Sequence, residues 1–215
     1  LAAAAGEVNP GGGPPERNAW PRVNLLDEPG LPELEICSHA GVFSAAGHDA
    51  GSIFLLQWLA DSMVAEAVDS IVDCGCGNGL LALTAARLFP GATLLCTDES
   101  FMAVESARAG FLRNDLAGRA SFAWTDCLQG VGSDSADLVL CNPPFHQVRT
   151  QTLAVALRMF SQAAGVLRPN GYLVVVANRH LGYRRHLEKL FPLVRIAADD
   201  GRYQVIVATK ADRKD

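Results

Sequence analysis

Residues 70–89 read SIVDCGCGNGLLALTAARLF, a strand, a glycine-rich turn and a helix in succession. The first five residues form a short β-rich run, and the last ten carry apolar residues at helical spacing up to Pro90-Gly91. Between them stand Asp73-Cys74-Gly75-Cys76-Gly77-Asn78-Gly79. Glycines let a backbone turn tightly and approach a ligand closely, and the helix that follows offers unpaired N–H groups beside that ligand. Further along, residues 92–98, 120–126, 136–142 and 172–178 read as strands, and residues 101–115 and 151–167 as helices. Residues 168–171 (RPNG) read as a turn, residues 183–191 as a helix, and residues 195–198 and 203–209 as closing strands. Strands alternating with helices imply α/β architecture, a mostly parallel sheet with helices on both faces. Only Asp199-Asp200-Gly201 separates the closing strands, which is too short for a parallel crossover, so the last strand is expected to run antiparallel.

The chain has 215 residues, 49% of them hydrophobic and 19% charged, enough for one domain with a buried core and against wholesale disorder. Residues 1–32 hold six of the eleven prolines and five of the twenty glycines, and are expected to be a linker or N-terminal extension ahead of one domain over 33–215. The start, LAAAAGEVNP, lacks a basic segment and a long apolar one, so no signal peptide is expected, and a start at Leu1 fits a fragment or a trimmed end. No run reaches the length of a membrane span. Six cysteines with no CxxC pair fit neither a disulfide scaffold nor a zinc ribbon. Cys74, Cys96 and Cys141 read as small buried hydrophobes, with the cytoplasm as the simplest compartment. The five histidines show no ligand spacing, so no metal is expected. Net charge is −5, against a simple basic nucleic-acid binder. Residues 179–215 nevertheless carry +4 against −9 for the rest, with Arg179, His180, Arg184, Arg185, His186 and Lys189 clustered. Such a run is either a solvated helix face or a contact for a polyanion.

Four motifs carry chemistry. A dinucleotide fingerprint needs G-x-G-x-x-G, but its third glycine is here Leu80; the spacing is D-x-G-x-G-x-G, which suits a nucleoside without a pyrophosphate. Asp98 ends the second strand about 20 residues further on, where a carboxylate can accept both ribose hydroxyls; Ser100 can cap the next helix in its place. Asp126, after the third strand, is placed to touch an adenine amine or to cap a turn, while Phe101, Met102 and Cys127 are either an adenine sandwich or plain core. Directly after the fourth strand comes Asn142-Pro143-Pro144-Phe145-His146. Prolines fix φ and offer no N–H, Asn142 adds a carbonyl, and Phe145 adds a flat face. Together they suit a planar ring bearing an NH2 group.

With GVFS and D.GS over residues 41–52, DCGCGNG, CTDES and CNPPFH, the chain resembles class I S-adenosylmethionine-dependent methyltransferases, and among them the ribosomal RNA guanine-N2 methyltransferases. VANRHLGY and CNPPFHQ look more like the large-subunit (23S) member of that pair than the small-subunit (16S) one. The resemblance spans about residues 36–209 and implies a Rossmann-like domain with a seven-stranded sheet. It implies that Gly75, Gly77 and Gly79 line the methionine and ribose part of S-adenosyl-L-methionine, with Asp73 and Asn142 in the same cofactor-binding set. Asp98 takes the ribose hydroxyls and Asp126 the adenine. Val42, Phe43 and Ser44 close over the cofactor, and Asn142, Pro143 and Phe145 hold the guanine. Such proteins usually carry a second, cofactor-free copy of the domain on the N-terminal side, where this chain shows only its Pro/Gly-rich stretch.

The expected chemistry is methyl transfer to the exocyclic N2 amine of a guanine in ribosomal RNA, with the partner a large-subunit RNA and no membrane. The methyl donor is already activated, so positioning dominates and no strong base is required. His146 stands beside the site as an alternative proton acceptor. A protein-glutamine amide is also a planar NH2, so a protein-glutamine N5 methyltransferase is the competing enzyme, and a non-catalytic RNA-docking module the competing non-enzyme. Phe rather than Tyr at position 145 and the basic segment lean toward RNA.

Overall fold

A computed structural model describes residues 21–45, 47–62, 67–144 and 149–212. β1 (Arg22–Leu26) and β2 (Leu34–Ser38) pair antiparallel, Leu26 opposite Leu34, as a separate two-stranded sheet. Residues 22–26 therefore do not belong to the expected linker. Leu26 and Leu34 are buried and join the main core, which offsets the entropy of ordering the segment. Helix α1 (Ala50–Ser62) follows, an element absent from the sequence reading.

β3 (Ser70–Cys74), α2 (Leu80–Leu88), β4 (Thr93–Asp98), α3 (Phe101–Arg113), β5 (Ala120–Trp124) and β6 (Ala136–Cys141) stand where the patterns place them. After α4 (Arg149–Val166), β7 runs Leu167–Asn178 and so absorbs the expected turn at 168–171. Leu167 already pairs with Ala136 of β6. Asn170 takes φ 63°, its N–H donates to the Lys210 carbonyl at 3.2 Å, and Lys210 N–H donates to the Gly171 carbonyl at 3.0 Å. A Cβ on Gly171 would lie 3.0 Å from the carbonyls of Arg168 and Asp137, so any side chain at the kink would push on two strand carbonyls. The expected helix at 183–191 contracts to α5 (Arg184–Leu187). Pro192 disfavours helical geometry at the residue before it. β8 (Leu193–Asp199) and β9 (Tyr203–Thr209) close the sheet.

The seven strands run in the order β5-β4-β3-β6-β7-β9-β8. β3 through β7 are parallel, and β9 is antiparallel to both of its neighbours, as expected. Period-2 alternation divides the core between two faces. Ile71, Leu138, Leu140, Val174 and Val176 face one layer with α1, α2 and α3. Val72, Val139, Cys141, Leu173 and Val175 face the other, against Phe160 of α4 and Leu187 of α5. All six cysteines are free and buried, Cys74, Cys96 and Cys141 among them. From β3 the chain builds outward to β4 and β5, then returns to place β6 on the other side of β3. That reversal leaves a crevice beyond the carboxyl ends of β3 and β6, where open α/β sheets take ligands.

Candidate functional site

A cavity of about 390 Å³ occupies this crevice, a size suited to a small molecule. Gly75 and Gly77 line it from the loop after β3, Asp98, Glu99 and Ser100 from the end of β4, and Asp126 and Cys127 from beyond β5. Asn142, Pro143 and Pro144 line it from the end of β6, Val155 and Met159 from α4, and Gly41, Val42 and Phe43 from the N-terminal side. Ser44 lies instead on an adjoining recess of about 40 Å³, with Asp49, Ser52 and Asn142.

The glycine loop is held from β4. Its Gly75 and Cys76 N–H groups both donate to the Thr97 carbonyl at 2.9 Å, and Gly77 N–H donates to Asp98 Oδ2 at 2.9 Å. Asp98 Oδ1 accepts from Ser100 N–H at 2.8 Å, while Ser100 itself caps α3 by accepting from Ala103 N–H at 3.4 Å. Asp98 is therefore not the cap, and its half-buried carboxylate keeps lone pairs for hydroxyls. The three glycines differ in role. Gly77 has φ +54° and nothing within 4 Å of a built Cβ, so open space lies above it; Gly79, at φ +80°, would bring a Cβ within 2.9 Å of Ala107 Cβ. Gly79 is thus a packing residue between α2 and α3 and does not line the cavity.

Asp73 also departs from its expected place. It is fully buried and does not line the cavity. Its Oδ2 accepts from Ala82 N–H of α2 at 3.1 Å, and its Oδ1 has no partner among the described residues. Burial pushes its pKa up to about 7, the Ala82 bond opposes that, and the Asp98 charge adds to it.

Asp126 does not cap the turn with its side chain. Oδ2 accepts from Arg158 of α4 and Oδ1 from the Cys127 thiol at 3.2 Å, at the rim of the cavity. Burial pushes the Cys127 thiol up to about 12, so it is no thiolate nucleophile at neutral pH. Phe101 and Met102 stay outside the cavity: Phe101 packs edge-on against Trp124, centroids 5.8 Å apart, and both rings are exposed.

Asn142 is half-buried, and its Nδ2 donates to Asp49 Oδ2 and to Ser52 Oγ, each at 2.9 Å. Pro143 is buried and Pro144 exposed. Phe145 and His146 lie outside the described residues. The basic cluster follows β7, at the same end of the sheet as the cavity. Arg184 pairs with Glu188 at 2.7 Å and Arg179 with Asp199 at 3.8 Å, exposed pairs of little energetic weight. Arg185 and Lys189 are exposed.

Sequence reasoning missed Gly41, Ala103, Val155 and Met159 as lining residues, and Asp49 and Ser52 as supports. Helical residues at 103, 155 and 159 look like any amphipathic face. Asp49 and Ser52 did stand in the quoted D.GS stretch, and an aspartate directly ahead of an apolar run is itself a helix-start signal.

The residues present fit S-adenosylmethionine: an open cradle over Gly77, a carboxylate pinned beside it at Asp98, and a largely apolar wall from Val42, Cys127, Val155 and Met159. The parallel sheet, the antiparallel last strand and the ligand crevice at the reversal define a class I methyltransferase fold. The chain belongs to the Methyltransferase small domain family, whose profile matches residues 33–207. It is 45% identical over 195 residues to the ribosomal RNA large subunit methyltransferase G of Streptomyces coelicolor, covering 90% of this chain and 51% of the relative. Against the protein of the same name in Shewanella amazonensis it is 43% identical over 179 residues, covering 82% of this chain and 46% of the relative. The chain thus spans about half the length of the curated relatives it matches. Among solved structures, a T. thermophilus 16S rRNA N2 guanine methyltransferase in complex with AdoMet and guanosine superposes with TM-score 0.78 at 28% identity, over 89% of this chain and 51% of that one.

Proposed function

We propose that this chain is the cofactor-binding, methyl-transferring part of a ribosomal RNA guanine-N2 methyltransferase acting on large-subunit RNA in the cytoplasm. The observation that carries the reading is the meeting, on one cavity, of the Gly77–Asp98 cradle with Asn142 and two prolines. The names of the similar proteins support the ribosomal substrate. When bound, S-adenosylmethionine supplies a methyl group already activated for transfer.

The chain's own residues do the rest. Asp98 receives the ribose hydroxyls, and its bond to Gly77 N–H fixes it for them. Gly77 lets the methionine part lie close to the backbone. Asp126, at the rim, receives the adenine amine. On the β6 side, Asn142 Oδ1 and the Pro143 carbonyl accept the two hydrogens of guanine N2, and Phe145 stacks on the ring. Bonds to those hydrogens favour the geometry in which the nitrogen lone pair leaves ring conjugation and attacks. Transfer to N2 would break the sulfonium S–CH3 bond and release the cofactor as its neutral thioether; the Asn142 and Pro143 acceptors hold the N2 hydrogens until one proton leaves to water, so no buried base is needed. A guanine inside structured RNA must be presented unpaired, and the basic segment after β7 holds the phosphates while it is.

Incubation with labelled S-adenosylmethionine and naked ribosomal RNA, protein or DNA tests the reading. Label in N2-methylguanine of large-subunit RNA is the expected product. Label in glutamine, or none in RNA, would overturn the reading.

A further inference from the structure

Asn142 can hold an amine only by its carbonyl end. An asparagine amide is close to two-fold in χ2, and a half-turn would present N–H groups to the N–H groups of the target. Something must choose the orientation. The structure places that choice 90 and 93 residues away in sequence, at the start of α1. There Asp49 Oδ2 accepts from Asn142 Nδ2 at 2.9 Å, and Ser52 Oγ accepts from the same nitrogen at 2.9 Å. Both amide hydrogens are then engaged, and the carbonyl oxygen is the end of the amide left to accept from a ligand in the cavity that Asn142 lines. An ionised carboxylate accepts and never donates, so Asp49 cannot bind the carbonyl end. Asp49 Oδ2 also accepts from Ser52 N–H at 2.8 Å, the side-chain cap of a 13-residue helix. The cap holds the carboxylate in place beside Asn142. Ser52 is buried in the same contact.

We propose that Asp49 and Ser52 are positioning residues that lock the Asn142 amide with its carbonyl toward the target amine, so that helix α1 sets the donor–acceptor sense of the site. This rests on the reading of Asn142 as the group that grips the amine. A site with the amide unlocked spends part of its time with the repelling face forward, which lowers turnover and leaves RNA and cofactor binding in place.

The test separates locking from helix capping. Serine caps helices about as well as aspartate but is too short to reach Asn142, so Asp49→Ser keeps the cap and removes the acceptor-only half of the lock; the Ser52 hydroxyl, which can donate as well as accept, does not by itself choose the amide's sense. Asp49→Ser is expected to lower kcat roughly 10- to 100-fold, with KM for ribosomal RNA and S-adenosylmethionine affinity within about twofold of wild type. Asp49→Asn, which keeps an acceptor, should fall between. In an Asn142→Ala background Asp49→Ser should cost nothing more, since the lock has nothing left to hold. Independently of RNA, the Asn142 side-chain amide hydrogens in 15N-labelled protein should exchange slowly in wild type and rapidly in Asp49→Ser. A wild-type kcat in Asp49→Ser, or an equal further loss in the Asn142→Ala background, overturns the proposal. A wild type that methylates no RNA overturns the function reading instead, and the amide exchange then decides the lock by itself.

Discussion

On the β3–β4 side the cavity wall is mostly backbone: glycine N–H groups tied to Thr97 and Asp98, with the side chains of Asp98 and Glu99 joining it at the end of β4. Across from it, on the β6 side, a side-chain amide does the reaching, and its bearing is fixed by α1 rather than by its own loop. The first wall can be rigid with no help beyond neighbouring strands. The second needs a distant helix, because a side-chain amide has a flip that a backbone carbonyl lacks. Binding a cofactor asks for a fixed cradle; directing an amine asks for a chosen face. Substitutions on the two walls should accordingly show in different measurements.

The largest expected effect lies beneath the first wall. Asp73 has its pKa raised by burial from 3.8 to about 7, so its protonated form stabilises the fold. That contribution is fully present below about 3.8, is lost as pH rises, and levels off above about 7. Within the window the loss should approach about 1.4 kcal/mol per pH unit. Chemical denaturation across pH should show this slope in wild type and not in Asp73→Asn; equal slopes would mean the carboxyl has a partner in solution. Next, Gly79→Ala combines a left-handed backbone with a Cβ 2.9 Å from Ala107 Cβ, so it should destabilise by about 2–4 kcal/mol. Gly77→Ala, with open space above it, should lose cofactor affinity more than stability. Paired melting and calorimetry would separate the two glycines. Third, Asp98→Ala should weaken S-adenosylmethionine by about 1.5–3 kcal/mol, roughly 10- to 150-fold; wild-type affinity would return Asp98 to a purely structural tie for the loop. The smallest effect is outside both walls: neutralising Arg184 and Arg185 should lower RNA affinity and flatten its salt dependence by up to about two counterions. Arg184 already pairs with Glu188, so Arg185 should carry most of the change.

Much of the first wall was legible because it is local. The loop, the acid after β4 and the serine that frees it lie within about thirty residues, and short-range spacing encodes them. Parallel β3–β6 with an antiparallel finish followed from apolar periodicity and one short turn. Gly79 could not be told from Gly77 by spacing, since both are glycines of one motif and only the approach of Ala107 divides them. α1 escaped because its residues are apolar nearly all round and show no stripe. β1 escaped because prolines flank it and its partner is eight residues further on, where only tertiary burial of Leu26 decides the pairing. Asp49 was in view as a letter of a motif, but its contact with Asn142 exists only in the folded chain.

Asn142→Ala in single-turnover methylation of large-subunit ribosomal RNA, alongside cofactor titration of the same protein, separates a β6 wall that acts on the amine from a β3–β4 wall that acts on the cofactor. The transfer rate should fall about 100-fold while S-adenosylmethionine affinity stays within about twofold, because a contact made best in the transition state shows in turnover. A wild-type transfer rate, or a loss carried wholly by cofactor affinity, would contradict that separation.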